Sequence, residues 1–236
     1  GAIYNSNTAT LSNVNLTGNL ALIFGGAIFN EATGNLSIND CLLSRNSAVW
    51  QNSTGNVIPT YCCQIFNNSN PQLSQYGVVN ITGSTLYENW ADTGEAMYNN
   101  NNATANVENS TIIAPWGDTG SNGGIVTYSD TWLDTELPPD PGSARALSAA
   151  SLTVSGTLTL NHVTLVGNGG LVLRNGDGNV LHMRNSIIAD GTCENAGVIA
   201  TNRYNLVEDG SCADNGVNLR TGDPLLGPPA YNGGST

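Results

Sequence analysis

Asn35-Leu-Ser-Ile-Asn-Asp-Cys-Leu-Leu-Ser44, with Gly25-Gly-Ala-Ile-Phe-Asn30 just before it, decides the fold. Leu36, Ile38, Cys41 and Leu43 spell a pattern: apolar, any, apolar, two of any kind, small or apolar, any, apolar. It recurs at Ala9, Leu11, Val14 and Leu16, at Val79, Ile81, Ser84 and Leu86, and at Ala105, Val107, Ser110 and Ile112. Two later copies are Leu158, Leu160, Val163 and Leu165, then Leu181, Met183, Ser186 and Ile188. Successive starts lie 27, 43, 26, 53 and 23 residues apart. A fixed period of this length marks a repeat architecture in which no single unit can bury its own apolar face. The short intervals read as one coil each. The interval of 43 reads as one coil plus an insertion carrying Pro59, Cys62 and Cys63, and that of 53 as two coils or one coil with a long loop.

A second strand precedes each copy. It reads Gly1-Ala-Ile-Tyr-Asn5, Gly25-Gly-Ala-Ile-Phe-Asn30, Gln64-Ile-Phe-Asn67, Gly94-Glu-Ala-Met-Tyr-Asn99, Gly123-Gly-Ile-Val126 and Gly169-Gly-Leu-Val-Leu173. The leading glycines suit a sharp corner, and alternation of period two then points every other residue inward. Turn-formers stand ten residues after each pattern start: Asn19, Asn46, Asn89 and Asn168, with Pro115 and Gly191 in the other two copies. Stacked on successive coils, such asparagines either bond into amide ladders or serve simply as turn residues. Helical periodicity is absent. The expectation is an all-β, single-stranded parallel β-helix of about seven or eight coils, stacked at about 4.8 Å. A β-sandwich is the rival, but it would not hold two strands in fixed order at this period. The whole chain, 1–236, reads as a single domain with insertions at about 47–62 and 127–150 and a C-terminal segment over 190–236.

Composition bounds the function. The net charge is −12, all six basic residues are arginine, and no lysine is present. Such a chain repels nucleic acid, whose phosphates need clustered cations. No apolar run is long enough to span a bilayer. Neutral glycans and calcium are compatible partners. The opening Gly1–Asn5 looks like the middle of a repeat, so the chain reads as a mature or trimmed product.

The run Asn185-Ser-Ile-Ile-Ala-Asp190, Cys193, Arg203-Tyr-Asn-Leu-Val-Glu-Asp209, Cys212, Thr221-Gly-Asp-Pro-Leu-Leu-Gly227 and Tyr231-Asn-Gly-Gly-Ser235 resembles the C-terminal part of bacterial secreted right-handed parallel β-helix proteins. These are often described as choice-of-anchor domain proteins. The Gly-Gly-Ala-Ile-Phe-Asn coils resemble the same group and, more loosely, polymorphic outer-membrane adhesins. The resemblance spans nearly the whole chain and bears on fold and secretion, not activity. It implies a bacterial cell-surface or secreted location, a Cys193–Cys212 disulfide around the Tyr-Asn-Leu segment, and a surface anchor beyond the Asn-Gly-Gly motif. An oxidising compartment agrees with such a bond. Cys41 takes an inward position that Ser or Val fills elsewhere, which predicts a buried free thiol, with a bond to Cys62 or Cys63 as the alternative.

Chemistry is sparse. Lyases of this fold need carboxylates around calcium and a basic proton acceptor, and hydrolases need paired aspartates. Asp40 and Asp92 are isolated, and no arginine lies beside an acidic cluster. His162 and His182, twenty residues apart, read as outward surface residues, with a metal pair on adjacent coils as the alternative. Asn175-Gly-Asp177-Gly-Asn179 has a calcium loop's oxygen spacing but lacks its later acidic ligand, so it reads as a tight turn. No enzyme and no resident cofactor are expected. The acidic, proline-rich loop at 127–150 reads as a solvated decoration or as a calcium or glycan site built from Asp130, Trp132, Asp134 and Asp140. The functional expectation is an extracellular structural protein, self-assembling through its solenoid ends into a filament or matrix. A glycan-binding adhesin, using tryptophans near turns, is the alternative, and a polysaccharide lyase or hydrolase the second.

Overall fold

The computed structural model describes residues 1–22, 24–51, 57–59, 63–89, 96–100, 102–113, 125–127, 156–167 and 170–227. Three long parallel sheets run the length of a solenoid, and each coil contributes one strand to each sheet. Sheet A stacks Ile3–Asn5, Ile28–Asn30, Ile65–Asn67, Met97–Asn99, Ile125–Thr127, Leu171–Asn175 and Thr192–Asn195. Sheet B stacks Thr8–Ser12, Asn35–Asn39, Val78–Thr82, Thr104–Glu108, Thr157–Asn161, Val180–Arg184, Val198–Arg203 and Gly216–Val217. Sheet C stacks Asn15–Thr17, Leu42–Ser44, Thr85–Tyr87, Thr111–Ile113, Thr164–Val166, Ile187–Ala189 and Leu206–Val207. Among the described residues this makes seven coils and a partial eighth row, which the isolated bridge from Leu206 to Arg220 extends to sheet C. At about 4.8 Å per row the stack is roughly 35 Å long. The parallel β-helix expected from the repeat is therefore the fold.

Two expectations need correction. The eight-residue pattern is two strands, one in sheet B and one in sheet C. The corner between them falls where the apolar step is three residues instead of two, as from Ile38 to Cys41. The corner residue is left-handed in nearly every coil: Asn13, Asp40, Gly83, Asn109, His162, Asn185 and Tyr204 all have φ between 49° and 59°. Asparagine, aspartate and glycine tolerate that conformation best, which explains most of this column. The pattern also missed the last coil. There a bulge shifts the register, so that Leu181 pairs with Ile199 but His182 pairs with Thr201. Asn202 then takes the inward place of Met183, and the apolar spelling is lost.

The two irregular intervals resolve simply. Leu36 pairs with Val79, and Ala105 with Leu158, so each interval is one coil with an excursion. The first excursion begins as Ser47–Gln51, which lies parallel to Leu20–Leu22 and antiparallel to Val57–Pro59. Residues 128–150 of the second lie outside the described residues.

The core is a set of apolar columns. On sheet B, Leu36, Val79, Ala105, Leu158 and Leu181 stack beside Ile38, Ile81, Val107, Leu160 and Met183, all buried. Three side-chain ladders reinforce the backbone. At the end of sheet A, Asn5 Nδ2 donates to Asn30 Oδ1 at 2.7 Å, Asn30 to Asn67 at 2.8 Å, and Asn67 to Asn99 at 2.7 Å. Thr127 stands next in register, and the ladder resumes from Asn175 to Asn195 at 2.8 Å. A second amide ladder runs from Asn19 to Asn46 to Asn89, the turn residues singled out by sequence, at 2.8 and 3.3 Å. Asn168 lies outside the described residues. A third ladder uses hydroxyls: Cys41 N–H donates to Ser84 Oγ, and Ser84 N–H to Ser110 Oγ. Each serine hydroxyl donates back to the carbonyl two residues earlier. Rings also stack along the outside of sheet A. Tyr4, Phe29, Phe66 and Tyr98 follow one another with centroids 5.6, 5.1 and 5.5 Å apart.

Replacing Asn67 by alanine removes both the acceptor for Asn30 and the donor to Asn99, each of them fully buried. The expected cost is about 2–4 kcal/mol in chemical denaturation, because two desolvated groups lose partners. Cys41→Ser should be neutral or stabilising by up to about 1 kcal/mol, since the thiol already sits where Ser84 and Ser110 place hydroxyls. The same denaturation series measures both variants.

Candidate functional site

Sheet B presents its alternate side chains to solvent as rows along the rod. The middle row runs Thr10, Ser37, Asn80, Asn106, Thr159, His182 and Thr201. The next row runs Ser12, Asn39, Thr82, Glu108, Asn161, Arg184 and Arg203. Strand alternation forces this: every residue between two core positions must face out. Side chains within the rows bond to one another, as Asn106 Nδ2 does to Asn80 Oδ1 at 2.9 Å and Asn161 Nδ2 to Glu108 Oε1 at 3.1 Å.

One stretch of this wall is concave. Thr159, Leu160, Asn161, His182 and Arg184 line a shallow pocket of about 340 Å³. His182 Nδ1 is hydrogen-bonded to Thr201 Oγ1 at 3.0 Å, which fixes the ring and leaves its other nitrogen as the free polar edge. Arg184 and Arg203 are register partners on adjacent coils, and both are exposed. Two other described arginines are engaged, while Arg220 is exposed and makes no ion pair among the described residues. Arg45 Nε donates to Glu88 Oε2 at 2.8 Å, and Arg174 lies 3.5 Å from Glu194. The hydrogen bonds from Tyr87 and then Arg45 hold the Glu88 carboxyl below its usual range and stabilise its charged form. Neither Arg184 nor Arg203 makes an ion pair among the described residues.

The sequence-based candidates fare unevenly. Cys193 and Cys212 are bonded, as the resemblance implied. Cys41 is a buried free thiol and does not bond to the insertion; Cys63 belongs to another disulfide. Asp130, Trp132, Asp134 and Asp140 lie outside the described residues, as do Trp90 and Trp116. His162 and His182 sit on adjacent coils but not together. His162 occupies the corner column with Asn185, three register positions from the row of His182. Among the described residues no three His, Cys, Asp or Glu side chains are grouped as a metal site would need. Asn175–Asn179 is a turn whose amides face inward: Asn175 joins the ladder, and Asn179 Oδ1 accepts from Gly156 N–H at 2.9 Å. The Arg184–Arg203 pair was missed because the last coil was missed; an arginine closing each of two sheet B strands was the available signal. No helix among the described residues is long and apolar enough to cross a membrane.

Comparison with family models, with curated proteins and with solved structures gives no match.

The disulfide fastens the final coil. Cys193 N–H donates to Ser211 Oγ, and the inward Asn202 amide donates to the carbonyls of Cys212 and Asp214. Replacing both bonded cysteines by alanine should cost about 3 kcal/mol, the chain-entropy value for a loop of this size. Hydrogen exchange locates the loss: Val198–Arg203 should lose protection while Thr104–Glu108 keeps it.

Proposed function

We propose that this chain is the rigid rod segment of a secreted surface protein, with a structural role. The observation that carries this reading is the set of ladders along the rod. Buried amides, hydroxyls and stacked rings each tie a coil to its neighbours, over and above the backbone rows. Bonds that repeat along one axis resist bending and local opening of that axis. The Cys193–Cys212 bond fits an oxidising compartment, and the absence of lysine with only six arginines leaves few sites for trypsin-like cleavage. Growth into filaments belongs to the same reading, because coil edges carry the hydrogen-bonding groups that stack coils internally. The interior beyond Val198–Arg203 is crossed by residues bonded to Asn202, so a contact there would be made by the disulfide-linked segment.

A second reading is favoured by the wall of sheet B. Its hydroxyl and amide rows suit a hydroxyl-rich ligand laid along the rod, and this supports glycan binding by a surface adhesin.

Electron microscopy with light scattering of the purified chain tests the first reading. Straight rods are expected, lengthening with concentration if copies join end to end. A particle that stays monomeric at high concentration removes self-association. Release of unsaturated or reducing sugar ends from polysaccharides would overturn the structural role itself.

A further inference from the structure

Arginine is scarce on this molecule, and where it stands is informative. Of the five described arginines, Arg45 and Arg174 pair with carboxylates and Arg220 stands alone and exposed. Arg184 and Arg203 instead stand one above the other, at the spacing of one coil, beside His182 and the shallow pocket. Like charges on register partners, whose backbones lie about 4.8 Å apart, repel one another even in water. An anion between them reverses the sign of that term. A guanidinium fork binds a carboxylate in bidentate fashion, and a stacked pair offers two such forks facing the same side of the rod.

The surroundings narrow the ligand. Thr159 and the free edge of His182 supply polar groups within the pocket, and Asn161 lines it with its Nδ2 already given to Glu108 on the adjacent coil. Tyr204, 61% exposed, follows Arg203 at the corner and offers a ring face. Beyond the pocket the hydroxyl and amide rows continue along the wall. A peptide would need a free strand edge or apolar side-chain pockets, whereas this wall is the face of a paired sheet. A nucleic acid would need a wider cluster of cations than two arginines, and the net charge of −12 opposes it. We infer that the Arg184–Arg203 pair, with His182 and the adjoining pocket, binds the carboxylate of an acidic saccharide, a uronic-acid-bearing glycan lying along sheet B. The inference rests on the glycan-binding reading of that wall.

The test is titration calorimetry of the full chain at low ionic strength. The probes are a tetrasaccharide of galacturonic acid, its fully methyl-esterified form, and a short acidic peptide. The variants are Arg184→Gln, Arg203→Gln and, as a remote control, Arg174→Gln, each checked for unchanged circular dichroism. The acid tetrasaccharide should bind at least tenfold more tightly than its ester. Each wall variant should lose at least tenfold in affinity, the control should lose nothing, and added salt should weaken binding. Equal binding of acid and ester overturns the acidic class while sparing the glycan reading. No binding of any saccharide overturns both. Binding that ignores Arg184→Gln and Arg203→Gln overturns the site, and an acidic peptide binding as tightly overturns the saccharide assignment.

Discussion

Everything in this rod depends on register, and register is held most firmly by a buried primary amide. An asparagine side chain has one acceptor oxygen and two donor hydrogens. At Asn30 and Asn67 all are used: the oxygen accepts from the coil on one side, one hydrogen goes to the coil on the other, and the second meets backbone carbonyls. Sliding one coil by a single residue would leave these groups unpaired in a dry corner, at a cost of several kcal/mol. Sheet hydrogen bonds alone would tolerate such a slip better, because every backbone position offers the same groups. The same amide dictates its neighbour. A Cβ on Gly34 would fall 2.2 Å from Asn30 Oδ1, and one on Gly77 would fall 2.5 Å from Asn67 Oδ1, which is why glycine precedes the sheet B strand in those coils.

The sequence made the repeat legible because apolar columns enforce their own period. Leu36, Val79, Ala105, Leu158 and Leu181 can be aligned by eye, and they proved to be true register partners through both long excursions. The third sheet was hidden for a physical reason. A left-handed residue such as Asn13 or Asp40 bends the chain without interrupting the apolar spelling, so two short strands read as one. The amide ladder of sheet A was visible as an asparagine closing Ile-Tyr-Asn, Ile-Phe-Asn and Met-Tyr-Asn. Its energetic weight came only with burial, since all four are nearly or wholly inaccessible.

The candidate site was less legible than the core, and the reason is general for solenoids. Core residues are chosen by what lies beside them in every coil, so their types repeat. Outward residues are chosen one at a time, and their neighbours across the wall lie 18 to 27 residues away in sequence where no excursion intervenes. Arg184 and Arg203 differ by 19, below the period of the recognised copies, and a one-residue bulge intervenes. No periodic search keyed to 23–27 residues would have placed them together.

At the coil of Val198–Arg203 the core changes character. Moving along sheet B, the inward column passes from Leu160 to Met183 and then to Asn202, and on sheet A from Leu173 to Cys193. Apolar contact is replaced by directed bonds: Asn202 to the carbonyls of Cys212 and Asp214, Asn205 to Asn202, and Cys193 to Cys212. Hydrophobic burial is non-directional and would leave the next row open to water. Hydrogen bonds and a covalent link are directional and fix the segment that follows on this coil. The bulge that hid this coil from the repeat pattern is therefore part of its function, since it turns the Met183 position into the one from which an amide reaches the closing segment.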